Sequence, residues 1–160
     1  MSDRIQVRCV IEKGYGVASG QAQNLRFPQG TIEMQKPFFR DRGLDLNEYF
    51  AGTINLSIAP SKYEIKQTKY TFKQIKWSPN DPAEDFSFFD CQLLLDRDKA
   101  IDGLIYYPHP DTKPEHFQAP DILEVMMPFI HDLTARSPLI LAVDSQQIRI
   151  DLSSSTCHER

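Results

Sequence analysis

A mainly β fold is what this sequence predicts, a small closed barrel with one or two short helices. Two patterns and one bound carry that expectation. Apolar residues alternate at period two in a series of short runs, as half-buried strands do. Turn residues separate the runs at intervals typical of an antiparallel barrel or sandwich, giving roughly eight to ten strands. The chain has 160 residues, 41 % of them apolar, with ten Phe, six Tyr and one Trp. That is enough for one domain with a substantial core, expected over residues 1–152.

The elements follow in order. Ile5 to Ile11 (IQVRCVI) alternates as a strand, and Gly14-Tyr15-Gly16 turns the chain into a second, Val17 to Gly20. The segment MQKPFFRDRGLDLNEYFAG contains Pro37 and Gly43 and reads as an irregular loop, with a short helix near Asp45 to Phe50. Ile54, Leu56 and Ile58 alternate with Thr53, Asn55 and Ser57 in the next strand, which Pro60 closes. Tyr63-Glu64-Ile65, Tyr70-Thr71-Phe72 and Ile75-Lys76-Trp77 read as further short strands, and SPNDPAED (78–85) as a loop. Phe86 to Leu95 is a strongly apolar strand, and Ile101 to Tyr107 returns after a turn at Asp96 to Lys99. HPDTKPEHFQAP (109–120) is a proline-rich loop. Pro128 ends a strand over Ile122 to Met127 and suits the first turn of a short helix over Phe129 to Ala135. Leu139 to Val143 and Gln147 to Leu152 read as a closing hairpin around Asp144-Ser145, and residues 153–160 as a disordered tail.

Composition excludes several function classes. Eighteen basic against 22 acidic residues leave a net charge of -4, which argues against a general polyanion binder. No run is long and apolar enough to span a bilayer, and MSDRIQVR lacks the apolar stretch of a secretory signal. Cys9, Cys91 and Cys157 are odd in number and scattered, as reduced thiols in a cytoplasm would be. The four His and three Cys form no pair at zinc-ligand spacing.

The stretch AGTINLSIAP (51–60) carries the clearest chemistry. Residues two apart on a strand point the same way, so Thr53 and Asn55 offer two neutral oxygens rooted roughly 7 Å apart. Mg²⁺ takes oxygen ligands, keeps several waters and arrives with substrate phosphates, whose charge makes neutral protein ligands sufficient. Gly52 lets the backbone approach a ligand. The plain alternative is a Thr and an Asn on the solvent face of an ordinary strand.

The order of four pieces resembles the archaeal CTP-dependent riboflavin kinase family. These are Val17-Ala18-Ser19-Gly20, Gly52-Thr53-Ile54-Asn55-Leu56, Ile101-Asp102-Gly103 leading to Tyr107-Pro108, and Ile122-Leu123-Glu124-Val125-Met126-Met127-Pro128. The likeness runs from about Ile5 to Leu152 and implies a cradle-loop barrel. It implies phosphoryl transfer from CTP to riboflavin, giving FMN. By the same resemblance Thr53 and Asn55 ligate the Mg²⁺ of the nucleotide, Glu124 and Thr112 contact the flavin, and Ser19, Gly20, Gln21, Ala22, Gln23, Asn24 and Gly52 line the nucleotide. Such a step needs positioning and charge neutralisation more than covalent chemistry. Glu124 is the carboxylate nominated to orient or deprotonate the acceptor hydroxyl.

The chain departs from the family at two places. The family's Gly-x-Gly-x-Gly loop appears here as Gly20-Gln21-Ala22-Gln23-Asn24, with only its first glycine kept. A basic segment after the proline is replaced by Phe129-Ile130-His131-Asp132. A second reading follows, a non-catalytic nucleotide- or flavin-binding or regulatory barrel. A third comes from Lys62, Lys66, Lys69, Lys73 and Lys76 interleaved with Tyr63, Tyr70, Phe72 and Trp77, a pattern that can bind single-stranded nucleic acid. Its duller counterpart has the lysines solvated and the aromatics turned inward. Gly14 to Gly20 lacks the glycine offset of a dinucleotide loop, and there is no Walker-type Gly-Lys-Ser/Thr.

Overall fold

The computed structural model describes residues 3–13, 31–50, 52–96, 99–112, 119–130 and 139–152. Its elements run β1 (Arg4–Lys13), α1 (Thr31–Asp41), β2 (Ile54–Ser57), β3 (Lys62–Ile65), β4 (Tyr70–Ile75), β5 (Glu84–Asp96), β6 (Lys99–Pro108), β7 (Ile122–Met126), β8 (Leu139–Asp144) and β9 (Ile148–Asp151). The chain is mainly β, as its alternating runs predict. The expected strand over Val17 to Gly20 and the tail 153–160 lie outside the described residues.

Strands β5, β6, β7, β2, β1 and β8 pair in that order, every step antiparallel, and β8 pairs back onto β5 to close a ring. The 13 residues of β5 make this possible. One edge of β5 takes β4 along Phe86 to Phe88 and β8 along Cys91 to Leu94, while β6 runs the length of the other edge.

Two cores sit on the two faces of this ring. Inward-pointing residues from every strand of the ring, among them Val7, Cys9, Leu56, Phe89, Leu93, Ile105, Val125 and Leu141, form the interior. On the outer face of β4 to β7, Phe72, Phe86, Phe88, Leu104, Tyr106 and Met126 pack against Ile32 and Phe39 of α1 and Leu44 and Leu46 after it. Strand β5 is therefore buried on both faces, which explains why Phe86 to Leu95 reads as a nearly continuous apolar run.

The helix corrects the expectation for this region. Residues 31–41 are helical through Pro37, whereas 45–50 hold only turns, one of them an Asx turn from Asn47 N to Asp45 Oδ1. An interior proline costs a helix about 3 kcal/mol. Ile32, Gln35 and Phe39, spaced i, i+3 and i+7, place a buried stripe on the sheet and offset that cost. The Phe39 ring alone meets Phe86 and Phe88 at 5.1 Å and Phe72 at 5.8 Å. The helix stops in a Schellman arrangement, with Leu44 N donating to Phe39 O, Gly43 N to Arg40 O, and Gly43 at φ 106°. Of the helix expected over Phe129 to Ala135, residues 129–130 are not helical and 131–135 lie outside the described residues.

The closing hairpin is also corrected. The turn is real, with Gln147 N donating to Asp144 O, but β8 and β9 part after it. Strand β8 joins the ring between β1 and β5, while β9 pairs with β3 in a separate two-stranded sheet. Phe72 and Trp77 are buried in the helix-side core, so the aromatics nearest the lysine strip turn inward there.

Two outcomes test this packing. A Cβ on Gly103 would lie 2.6 Å from the Met126 carbonyl oxygen and collide with the Met127 thioether, so β6 and β7 would have to separate. Gly103→Ala is expected to lower urea stability by about 1–3 kcal/mol; wild-type stability would contradict the β6–β7 register. Burial pushes the Cys9 thiol up from 9.0 to about 12 and the Cys91 thiol higher still, Asp90 adding to the latter. Both thiols then hold their protons more tightly folded than unfolded. Stability should be fully present below pH 9 and fall as pH rises from 9 toward 12, with neither thiol labelled by a disulfide reagent in the native state.

Candidate functional site

The site is built where β2 runs against β7. The register sets Ile54 opposite Val125, Asn55 opposite Glu124 and Leu56 opposite Leu123. Antiparallel partners project to the same face, and diagonal neighbours lie within side-chain reach. Ile54, Leu56, Leu123 and Val125 fill the interior of the ring. Asn55 and Glu124 consequently share the opposite face, and Thr53 is the diagonal neighbour of Glu124. The Thr53 hydroxyl donates to Glu124 Oε1 at 3.0 Å.

Burial distinguishes this cluster from an ordinary solvent face. Thr53 and Glu124 are each 6 % exposed, and Asn55 is half-buried. On its far side Asn55 is the register partner of Lys13 in β1, across a bulge. Gly52 is buried, and its amide donates to Phe50 O at 2.8 Å. That bond closes the bend that delivers Thr53 into β2.

The Glu124 charge is felt by two phenols. Tyr106, 6 % exposed, is held well above its usual range by burial first and then by the Glu124 charge. Burial likewise raises Tyr63, with the Tyr107 phenol and the Glu124 carboxylate adding to it. Both phenols stay protonated near neutral pH. The Tyr106 hydroxyl spends its proton on Gln35 Oε1 of α1, at 2.8 Å, and Gln35 is 1 % exposed. A row of buried polar side chains thus leads from the helix through Tyr106 and Glu124 to Thr53. Sequence reading missed Gln35 and Tyr106, because their nearness to Glu124 depends on the pairing of β6 with β7 and the placement of α1. Neither leaves a local signature.

Thr112, the flavin contact that the resemblance implies, bonds to backbone groups. Its hydroxyl accepts from Asp85 N at 2.8 Å and donates to His109 O at 3.2 Å. It pins the loop after β6 to the start of β5. His109 joins the same corner, with Ser87 Oγ 2.7 Å from its Nε2. Desolvation lowers the His109 pKa, Asp85 and Asp111 working against that and Lys73 with it. Ser19 to Asn24, the expected nucleotide loop, lie outside the described residues.

The donor set at Thr53 and Asn55 suits Mg²⁺. Thr53 gives its proton to Glu124, so its oxygen keeps lone pairs for a cation, and the Asn55 carboxamide supplies a second hard oxygen. Among the described residues no group of three or more His, Cys, Asp or Glu converges as a metal site. A cleft of about 340 Å³ lies apart from this cluster, beside Arg4, Tyr49, Lys69, Tyr70, Asp90 and Asp102. No helix among the described residues is long and apolar enough to cross a membrane.

The Thr53–Glu124 bond is testable by itself. Thr53→Val keeps the shape and removes the donor from a buried carboxylate, and is expected to cost about 1–3 kcal/mol in urea unfolding at neutral pH. A loss within error would mean the hydroxyl does not serve Glu124.

No protein-family model matches the chain, and no curated protein matches it either.

Proposed function

We propose that this chain is a riboflavin-kinase-like phosphotransferase on a small closed barrel, using Mg²⁺ and CTP to convert riboflavin to FMN. The observation that carries the reading is the Thr53–Glu124 hydrogen bond across β2 and β7. It brings the two residues nominated for the cation together with the carboxylate nominated for the acceptor, on one buried face. The resemblance quoted above supplies the substrates; the geometry supports its division of roles.

In this reaction the bond between the γ-phosphorus and the β,γ-bridging oxygen breaks, and a bond forms from the ribityl 5′-oxygen to that phosphorus. CDP and FMN leave, and the hydroxyl proton passes to Glu124 Oε. Thr53 and Asn55 would hold Mg²⁺, which would offset the charge of the phosphates. Glu124 orients the attacking hydroxyl, with Thr53 fixing one of its oxygens. Burial of Glu124 and Thr53 keeps competing water away from the acceptor.

One observation favours a second reading. The Thr112 hydroxyl is committed to Asp85 N and His109 O, which leaves it ill placed to grip a flavin. A barrel that binds nucleotide or flavin without transferring phosphate accommodates that placement.

Incubation with riboflavin, Mg²⁺ and each of CTP, ATP, GTP and UTP separates the two. FMN is expected with CTP, and Asn55→Ala or Glu124→Gln should each lower the rate at least about 100-fold. Binding of riboflavin or nucleotide without FMN from any triphosphate would replace the first reading by the second.

A further inference from the structure

Two phenylalanines flank the polar cluster at one end of the β2–β7 ladder. Phe50 precedes Gly52 and Thr53, and Phe129 follows Met127. The Phe50 amide donates to Met127 O at 2.9 Å, carrying the antiparallel approach one step past the strands. The two rings then meet with centroids 5.4 Å apart, tilted at 47°. Phe129 is nevertheless 56 % exposed, more than any other large hydrophobic side chain among the described residues. A phenylalanine is ordinarily among the buried residues. Here one stays exposed against a partner whose amide is bonded to the Met127 carbonyl, in the segments that lead into Thr53 and out of Glu124.

We propose that the Phe50–Phe129 pair is a stacking subsite for the planar heteroaromatic ring of the ligand whose polar chain reaches Thr53 and Glu124. Phe50 stands three positions before Thr53, so the chain holds their backbones within about 10 Å of each other. That span matches a heterocycle joined through a sugar or ribityl chain to a phosphate or hydroxyl. Every heteroaromatic ring has a π-face, so a phenylalanine platform selects for flatness and leaves the choice of ring to its rim. Both an isoalloxazine and a pyrimidine base meet this description. The inference rests on the phosphotransfer reading only for its ligands.

Titration of the full chain with riboflavin, CTP and inorganic tripolyphosphate with Mg²⁺ tests it. Phe129→Leu should weaken riboflavin or CTP roughly tenfold or more, leave tripolyphosphate unchanged, and be rescued by Phe129→Trp. Loss on the riboflavin arm alone assigns the ring to the flavin, and loss on the CTP arm alone assigns it to the base. Unchanged binding of both overturns the subsite while leaving phosphotransfer standing. Equal weakening of tripolyphosphate also overturns it, since the effect would then be general. Ring-dependent binding without FMN formation keeps the subsite and removes the kinase reading. A wild-type protein that binds neither riboflavin nor CTP removes both.

Discussion

The pairing of β2 with β7 is the constraint on which the rest depends. Side chains alternate at period two, so a slip of one residue would exchange the two faces of one strand relative to the other. Either Ile54 and Leu56 or Leu123 and Val125 would turn outward, and the polar residues of that same strand would point into an apolar interior. The interior of the ring therefore enforces the register, and the register enforces the polar cluster. No separate device is needed to bring Thr53 to Glu124: hydrophobic burial on one face dictates the hydrogen bond on the other.

A carboxylate 6 % exposed is costly unless its oxygens are satisfied. The fold answers at Oε1 with the Thr53 hydroxyl from β2. Tyr106 gives its proton to Gln35, so the helix fixes the side chain next to Glu124 as well as covering the sheet. Helix α1 is thereby tied to the site by chemistry and to the core by Phe39 and Ile32. The helix-side core and the polar cluster share β6 and β7, and packing on one part of that face sets the geometry of the other.

Much of this was legible in the sequence where it rested on local pattern. Period-two alternation located β1 and β2, and apolar runs bounded by turn residues or Pro128 located β5 to β8, all to within a few residues. Spacing nominates Thr53 and Asn55 and the resemblance alone nominates Glu124, and the structure sets the three on one face. What was not legible depended on partners distant in sequence. Pro37 argued for a loop, and only the contacts of Phe39 with β4 and β5 explain why a helix continues through it. Asp144-Ser145 signalled a turn correctly, but a turn does not say whether its flanking strands pair. Here β1 and β5 claim β8, and β3 claims β9. Thr112, nominated through the resemblance, bonds to the Asp85 amide and the His109 carbonyl, partners that its place in the sequence does not announce.

The central claim is that the face bearing Thr53 and Asn55 holds a divalent cation carrying phosphates. Paramagnetic relaxation with Mn²⁺–CDP, read in the amide spectrum of the labelled protein, addresses it most directly. Line broadening centred on Thr53, Asn55 and Glu124, and reversed by excess Mg²⁺, is the result this account requires. Broadening centred instead on the cleft beside Tyr49 and Tyr70, or spread evenly over surface carboxylates, would contradict it.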